Sequence, residues 1–232
     1  YEETNYPFEE AIAFTVSTGE KVAFPFYLRI PSWTKGAEVR VNGKKVSVTP
    51  VAGKYLCINR EWANGDRVEL TLPMSLSMRT WQVNKNSVSV DYGPLTLSLK
   101  IAEKYVEKDS RETAIGDSKW QKGADSKKWS TTEIYPDSPW NYSLVLDKKE
   151  PLKNFKVIRK SWPTDNYPFT VASVPLEVKA IGRPVPEWKI DETGLCGVLP
   201  EEDAVKGDKE EITLIPMGAA RLRISAFPNT KE

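Results

Sequence analysis

From Ala11 to Ser17 the chain reads AIAFTVS, which places Ile12, Phe14 and Val16 on one face of a strand. Thr18-Gly19-Glu20-Lys21 is turn chemistry, and an extended apolar run then continues from Val22 to Ile30. Pro31 stops it, because proline has no N–H to give to a ladder. Glu38 to Val41 and Lys44 to Val48 flank Asn42-Gly43. Both of those central residues tolerate positive φ, so the dipeptide predicts a two-residue hairpin. A strand is expected from Tyr55 to Asn59, a turn at Asn64-Gly65-Asp66, and another alternating strand from Arg67 to Leu72 before Pro73. Ser87 to Val90 and Leu95 to Ile101 flank a Tyr92-Gly93-Pro94 corner, and the one helical candidate is a short turn around Glu61 to Asn64.

Residues 103–133 break the pattern: they are polar, lysine-rich and weakly periodic. They read as an interdomain connection or a long surface loop, with a boundary at their start. Strands resume at Asn141 to Leu146, Phe155 to Lys160, Phe169 to Val171 and Leu176 to Ile181, and Ile212 to Ile215 and Ala220 to Phe227 close the chain. The proline-rich stretch GRPVPEWKIDETGLCGVLPEED suits a loop lying over a sheet. Turn signals at intervals of roughly 8 to 12 residues, with no sustained helical period, define an all-β protein. The expected architecture is two antiparallel β-sandwich (jelly-roll-like) domains, residues 1–102 and 103–232, of different topology because no fixed repeat period is visible.

Composition narrows the function classes. Hydrophobic residues at 40% and charged residues at 28% of 232 mark a globular chain. A net charge of +1 argues against a nucleic-acid partner, which requires a basic stripe, and against an anionic membrane surface. No apolar run approaches the roughly 18 to 20 residues of a membrane-spanning helix. Beginning at Tyr1 without a methionine, the chain is expected to be a mature or excised piece of something longer.

Candidate chemistry is sparse. There is no histidine, so neither a Ser-His-Asp nor a Cys-His arrangement can form. Cys57, within Tyr55-Leu56-Cys57-Ile58, reads as a small buried hydrophobe, and Cys196 follows Gly194-Leu195 in a looser segment; two free thiols are expected over a bridge. The carboxylate pairs Glu9-Glu10, Glu201-Glu202-Asp203 and Glu210-Glu211 are sequence neighbours, and adjacent strand residues point to opposite faces. They read as solvated charges rather than as a glycosidase pair, and the same logic makes Asp66 a turn residue. No catalytic, cofactor-binding or metal-ligating residue is expected in this chain.

The eight tryptophans remain. A β-sandwich can present an aromatic face to a sugar ring, or it can bury the ring and pair its N–H with a carbonyl. Trp33, Trp62 and Trp81 adjoin strand residues and read as packing. Trp162 and Trp188 sit beside prolines and could rim a loop surface. Trp120 in SKWQK and Trp129 in KKWST have almost wholly polar neighbours, and Trp140 belongs to a proline-shaped cluster, YPDSPWNY, with Tyr135 and Tyr142. Trp120, Trp129 and Trp140 are therefore the candidates for contact with a glycan or with another domain.

Five segments carry a family resemblance. FPFYLRIPSW, the VNGK turn, REWANGDRVELTLPM, VSVDYGPL and ITLIPMGAARLRISAFP, in this order, resemble the region that follows the catalytic barrel in β-L-arabinofuranosidase-type glycoside hydrolases. The opening TNYPFEEAIAFTV is similar to the segment by which that family leaves its barrel. The resemblance implies an α/α barrel that performs the chemistry, followed by two β-sandwiches, of which this chain would be the sandwiches alone. It implies a cysteine nucleophile and a zinc site of cysteines and a glutamate in the barrel. Cys57 and Cys196 do not match that motif, so no catalytic residue carries over. It further implies a secreted or periplasmic protein.

The leading expectation is thus a non-catalytic scaffold that supports the barrel of the same polypeptide, with homo-oligomerisation as a further role. The alternative is a carbohydrate-binding module pair for arabinose-containing plant polysaccharide. An independent hydrolase would need a carboxylate pair the sequence does not reveal.

Overall fold

A computed structural model describes residues 1–113, 125 and 127–232. The chain forms two compact units, residues 1–79 with 90–96, and residues 80–89 with 97–232. Both are built of β-strands, and the helix in the described residues is limited to single turns, α1 (Ser110–Thr113) and a 3-10 turn at Met217–Ala219.

The first unit contains β1 (Glu2–Thr4), β2 (Ala11–Thr15), β3 (Val22–Arg29), β4 (Glu38–Val41), β5 (Lys44–Lys45), β6 (Tyr55–Trp62) and β7 (Arg67–Thr71). Five of them form an antiparallel sheet in the order β1-β2-β7-β4-β5, and β3 pairs with β6 along its whole length. Register aligns the apolar positions into rows across the sheet. Ile12 and Val39 both lie opposite Leu70, and Phe14 and Val41 both lie opposite Val68. Phe24, Phe26, Leu28 and Ile30, with Leu56, Ile58 and Trp62, pack on the same core from the β3–β6 pair. The result is a two-sheet sandwich in which alternation puts apolar side chains inward and leaves Tyr27 and Tyr55 in solvent. Pro25 is tolerated because β3 has a ladder on one side only.

Trp62 anchors this core. Its ring is fully buried, stacks on Phe24 at a centroid distance of 5.7 Å, and donates its Nε1–H to the Phe24 carbonyl at 3.0 Å. Burial therefore leaves no orphaned donor. The expected Asn42-Gly43 hairpin is present, with φ of 50° and 76° and Val41 opposite Lys44.

β8 (Leu76–Trp81), β9 (Ser87–Tyr92) and β10 (Leu95–Leu99) each contribute residues to both units. In the first, Tyr92 and Asp91 pair with Leu95 and Thr96 around Gly93 at φ 55°, where a Cβ would stand 2.6 Å from Met74 Cγ. Only glycine fits that corner.

The second unit adds β11 (Glu103–Lys108), β12 (Thr131–Pro136), β13 (Tyr142–Leu146), β14 (Lys156–Arg159), β15 (Leu176–Pro184), β16 (Glu210–Pro216) and β17 (Asn229–Lys231). Its main sheet runs β17-β13-β15-β16-β10. β15 is long enough to hold two partners on one edge, β14 against Leu176–Lys179 and β13 against Gly182–Pro184, while β16 takes the other. β13 and β17 are parallel. Leu144, Leu176, Val178, Leu214, Ile215 and Phe227 are buried in its core.

Several element expectations are corrected here. Glu61 and Trp62 belong to β6, so no helical turn starts there. The segment read as a polar connection supplies β11 and part of β12, paired from Glu103–Pro136 to Lys108–Thr131. Both of its faces are half-exposed, so its pairing leaves no apolar alternation to read. Phe169–Val171 is not strand, and Ala220–Phe227 runs as irregular chain that bridges Val88 at Phe227 and bonds Leu99 and Ser98 at Ile224. The closing ladder strand is instead the polar β17.

Candidate functional site

Several polar residues of the first unit hold its turns. Asp66 accepts from the Ala63 N–H at 2.9 Å and the Asn42 amide at 2.7 Å, and Arg60 approaches it at 3.3 Å. The Ala63 N–H and the Asn42 amide hold its carboxyl below the usual carboxylate range, and Asn42 in turn accepts from the Arg67 N–H at 2.8 Å. The two Asn-Gly turns are thereby tied to each other. Glu10 accepts from the Met74 N–H at 3.0 Å.

The carboxylate pairs of the second unit are also engaged. Glu201 meets Lys85 and Glu211 meets Lys179. Glu210 lies beside Tyr142, whose hydroxyl is pushed up to about 12, first by burial and then by that carboxylate. Glu177 is nearly buried but bonded to both Lys100 and Lys160, at 2.7 and 2.9 Å; burial pushes its carboxyl up and the two ammonium groups more than reverse it. Among the described residues no group of three or more Cys, Asp and Glu side chains is arranged to hold a metal ion. Both cysteines are free thiols: Cys57 half-buried on β6, Cys196 exposed.

The tryptophans sort by the partner of the ring N–H. Trp62 and Trp188 are buried and donate to main-chain carbonyls, Trp188 to Gly197 at 3.0 Å. Trp81 donates to the Ser89 hydroxyl at 2.8 Å and Trp162 to the Asn166 side chain at 2.7 Å. Trp33 packs half-buried on the first core. Of the three candidates, Trp120 lies outside the described residues. Trp129 is 65% exposed with Lys128 over its ring, and its carbonyl accepts from the Ser110 hydroxyl at 2.7 Å. Trp140 is half-buried, braced edge-on against Trp188 at 5.2 Å, and lines a cleft. The structure does not bring Trp129 and Trp140 together on that wall.

The cleft has a volume of about 540 Å³ and lies wholly within the second unit. β12 contributes Glu133 and Tyr135, the 190–196 loop contributes Ile190, Leu195 and Cys196, and the irregular chain after the 3-10 turn contributes Arg221 and Arg223. Each wall has a local cause. Asp191 accepts from the N–H groups of Thr193 and Leu195 and from the Thr193 hydroxyl, and Gly194 at φ 84° completes that tight loop. Pro136, Pro139 and Trp140 turn the chain from β12 into β13, where Asn141 donates to the Val185 and Trp188 carbonyls at 2.9 and 3.1 Å.

The acids around the cleft already have partners. Tyr135 donates its hydroxyl to Glu133, which raises the phenol. Glu103 accepts from the Tyr105 hydroxyl at 2.6 Å and from the Arg221 N–H at 2.8 Å. Arg223 is fixed through Nε to the Ala220 and Met217 carbonyls, at 2.9 and 3.2 Å. Arg221 and Arg223 escaped the sequence reading because LRIS alternates like a closing strand. Tyr135 and Trp140 were visible as one aromatic cluster.

The described residues thus form an all-β chain of two compact units, with an aromatic-walled cleft in the second. Residues 1–74 match the family model described as "Beta-L-arabinofuranosidase, GH127 middle domain". Solved structures share the fold, three of them glycoside hydrolases as follows. A glycoside hydrolase is 22% identical with a TM-score of 0.58, and covers 99% of this chain and 32% of its own. The GH127 β-L-arabinofuranosidase from Geobacillus stearothermophilus T6 is 22% identical with a TM-score of 0.57, over 99% of this chain and 30% of its own. A further GH127 β-arabinofuranosidase is 21% identical at 0.57, over 99% and 31%. No curated protein matches. The resemblance read in the sequence is therefore shown as a partial one: a region of GH127 middle-domain type at residues 1–74 and, over 99% of the chain, a fold shared with about a third of each of these enzymes.

Proposed function

We propose that this chain is the non-catalytic β region of a β-L-arabinofuranosidase-like glycoside hydrolase, buttressing a catalytic barrel carried on the same polypeptide. The observation that carries this reading is the coverage: 99% of the chain superimposes on only 30–32% of each glycoside hydrolase. The engagement of Asp66, Glu177, Glu201 and Glu211 in turns and ion pairs supports it, since a glycosidase needs two carboxyl groups facing one sugar. A buttress needs a rigid, well-filled body, and the Trp62-centred core provides one.

The test is the size and activity of the natural protein. An antibody raised to this chain should detect a species far larger than 26.2 kDa, and that species should release arabinose from an aryl β-L-arabinofuranoside while the 232-residue chain does not. A natural species of 26.2 kDa, or turnover by the chain alone, overturns the reading.

A further inference from the structure

We propose that the cleft of the second unit holds one sugar residue bearing a carboxylate, the chemistry of a uronic acid in a polysaccharide. This goes beyond the scaffold role and does not depend on it. The volume of about 540 Å³ falls in the range of sites for single small ligands. The walls divide by chemistry. Trp140, Ile190, Leu195 and Leu222 offer an apolar side against which the C–H face of a sugar ring can lie. Trp140 is positioned for this, because the buried Trp188 ring braces it edge-on at 5.2 Å and is itself hydrogen-bonded to Gly197. A platform locked by its neighbours gives up little freedom on binding. The Trp140 ring N–H has no partner among the described residues, so it is free for a ligand hydroxyl.

The charge of the lining selects the substituent. Glu133 in the lining accepts from the Tyr135 hydroxyl, and Glu103, outside the lining, accepts from the Tyr105 hydroxyl and the Arg221 N–H. Arg221 already meets the Tyr105 hydroxyl, but Arg223 is not saturated in the same way. Arg223 spends its Nε on two carbonyls, which fixes the guanidinium plane and leaves its terminal nitrogens without a partner among the described residues. A fixed planar fork is the geometry that reads a carboxylate through two parallel hydrogen bonds, and Arg221 adds a second positive group to the same cleft. A neutral sugar would use the Trp140 wall but leave the terminal nitrogens of Arg223 unengaged.

The experiment is a calorimetric titration of the 232-residue chain with methyl α-D-galacturonide and, in parallel, with methyl α-D-galactoside. The uronide should bind saturably in the millimolar range, about tenfold or more tighter than the neutral glycoside. Arg223→Gln should remove that preference, bringing the affinity for the uronide down to that for the neutral glycoside. Trp140→Ala should weaken both, and Trp140→Phe, which keeps a ring on Trp188, should restore part of the loss, with circular dichroism melts confirming that each variant folds. Equal binding of the two glycosides, an Arg223→Gln variant with the preference intact, or no saturable heat with either ligand overturns the proposal.

Discussion

Trp62 shows how one side chain sets the character of a core. It fills the space between Phe24 and Phe26, and its single polar atom is satisfied by the Phe24 carbonyl, so the largest ring in the first unit is buried without an unpaired donor. Trp62→Ala removes that volume and the hydrogen bond to the Phe24 carbonyl. It should destabilise the first unit by about 3–5 kcal/mol in urea unfolding followed by circular dichroism. Ser143 is the opposite case. Its hydroxyl is fully buried in β13 with no hydrogen-bond partner among the described residues. Ser143→Ala should therefore be neutral or stabilising, by up to about 1 kcal/mol in the same measurement on the second unit. Loss of stability beyond that would mean the hydroxyl has a partner. The Trp62 role was legible from REWANG, a tryptophan between strand and turn. The idle hydroxyl was not, because only packing determines whether a serine finds an acceptor.

Turns carry the logic of the first unit. Asn42-Gly43 sets a two-residue hairpin, Asn64-Gly65-Asp66 sets the next reversal, and the Asn42–Asp66 bond at 2.7 Å joins them. Sequence identified both turns, since positive φ is a local demand that glycine and asparagine meet. It could not identify the bond between them, which depends on β4 and β7 being neighbours in the sheet. The Asp66 carboxyl is held low chiefly by the Ala63 N–H and the Asn42 amide, so its contribution to stability is full above the unfolded value of about 3.9 and fades as pH falls through the lower folded value. Asp66→Asn should flatten the acid limb of the first unit's stability between about pH 5 and 2, relative to wild type, in denaturant titrations at stepped pH. An unchanged limb would remove Asp66 from the account. The β11–β12 hairpin marks the reverse limit: its strands pair along six positions with half-exposed polar faces, so neither face leaves a hydrophobic stripe.

At the scale of the whole molecule, the all-β class was written in the chain, because period-two alternation and turn residues are properties of short segments. The same holds for the inward set of the first sandwich, from Ile12 and Phe14 through Phe24, Leu28 and Leu70, and for the partial resemblance to GH127 enzymes. What tertiary structure decided is which segments meet. β15 takes β13 and β14 on one edge and β17 joins β13 in parallel, all through pairings distant in sequence. The cleft is of this kind as well. Tyr135, Trp140, Cys196 and Arg223 come from three separate stretches, and only Tyr135 and Trp140 share a motif. A strand declares itself through contacts within its own few residues; a binding wall exists only after the sheet order has brought its parts to one place.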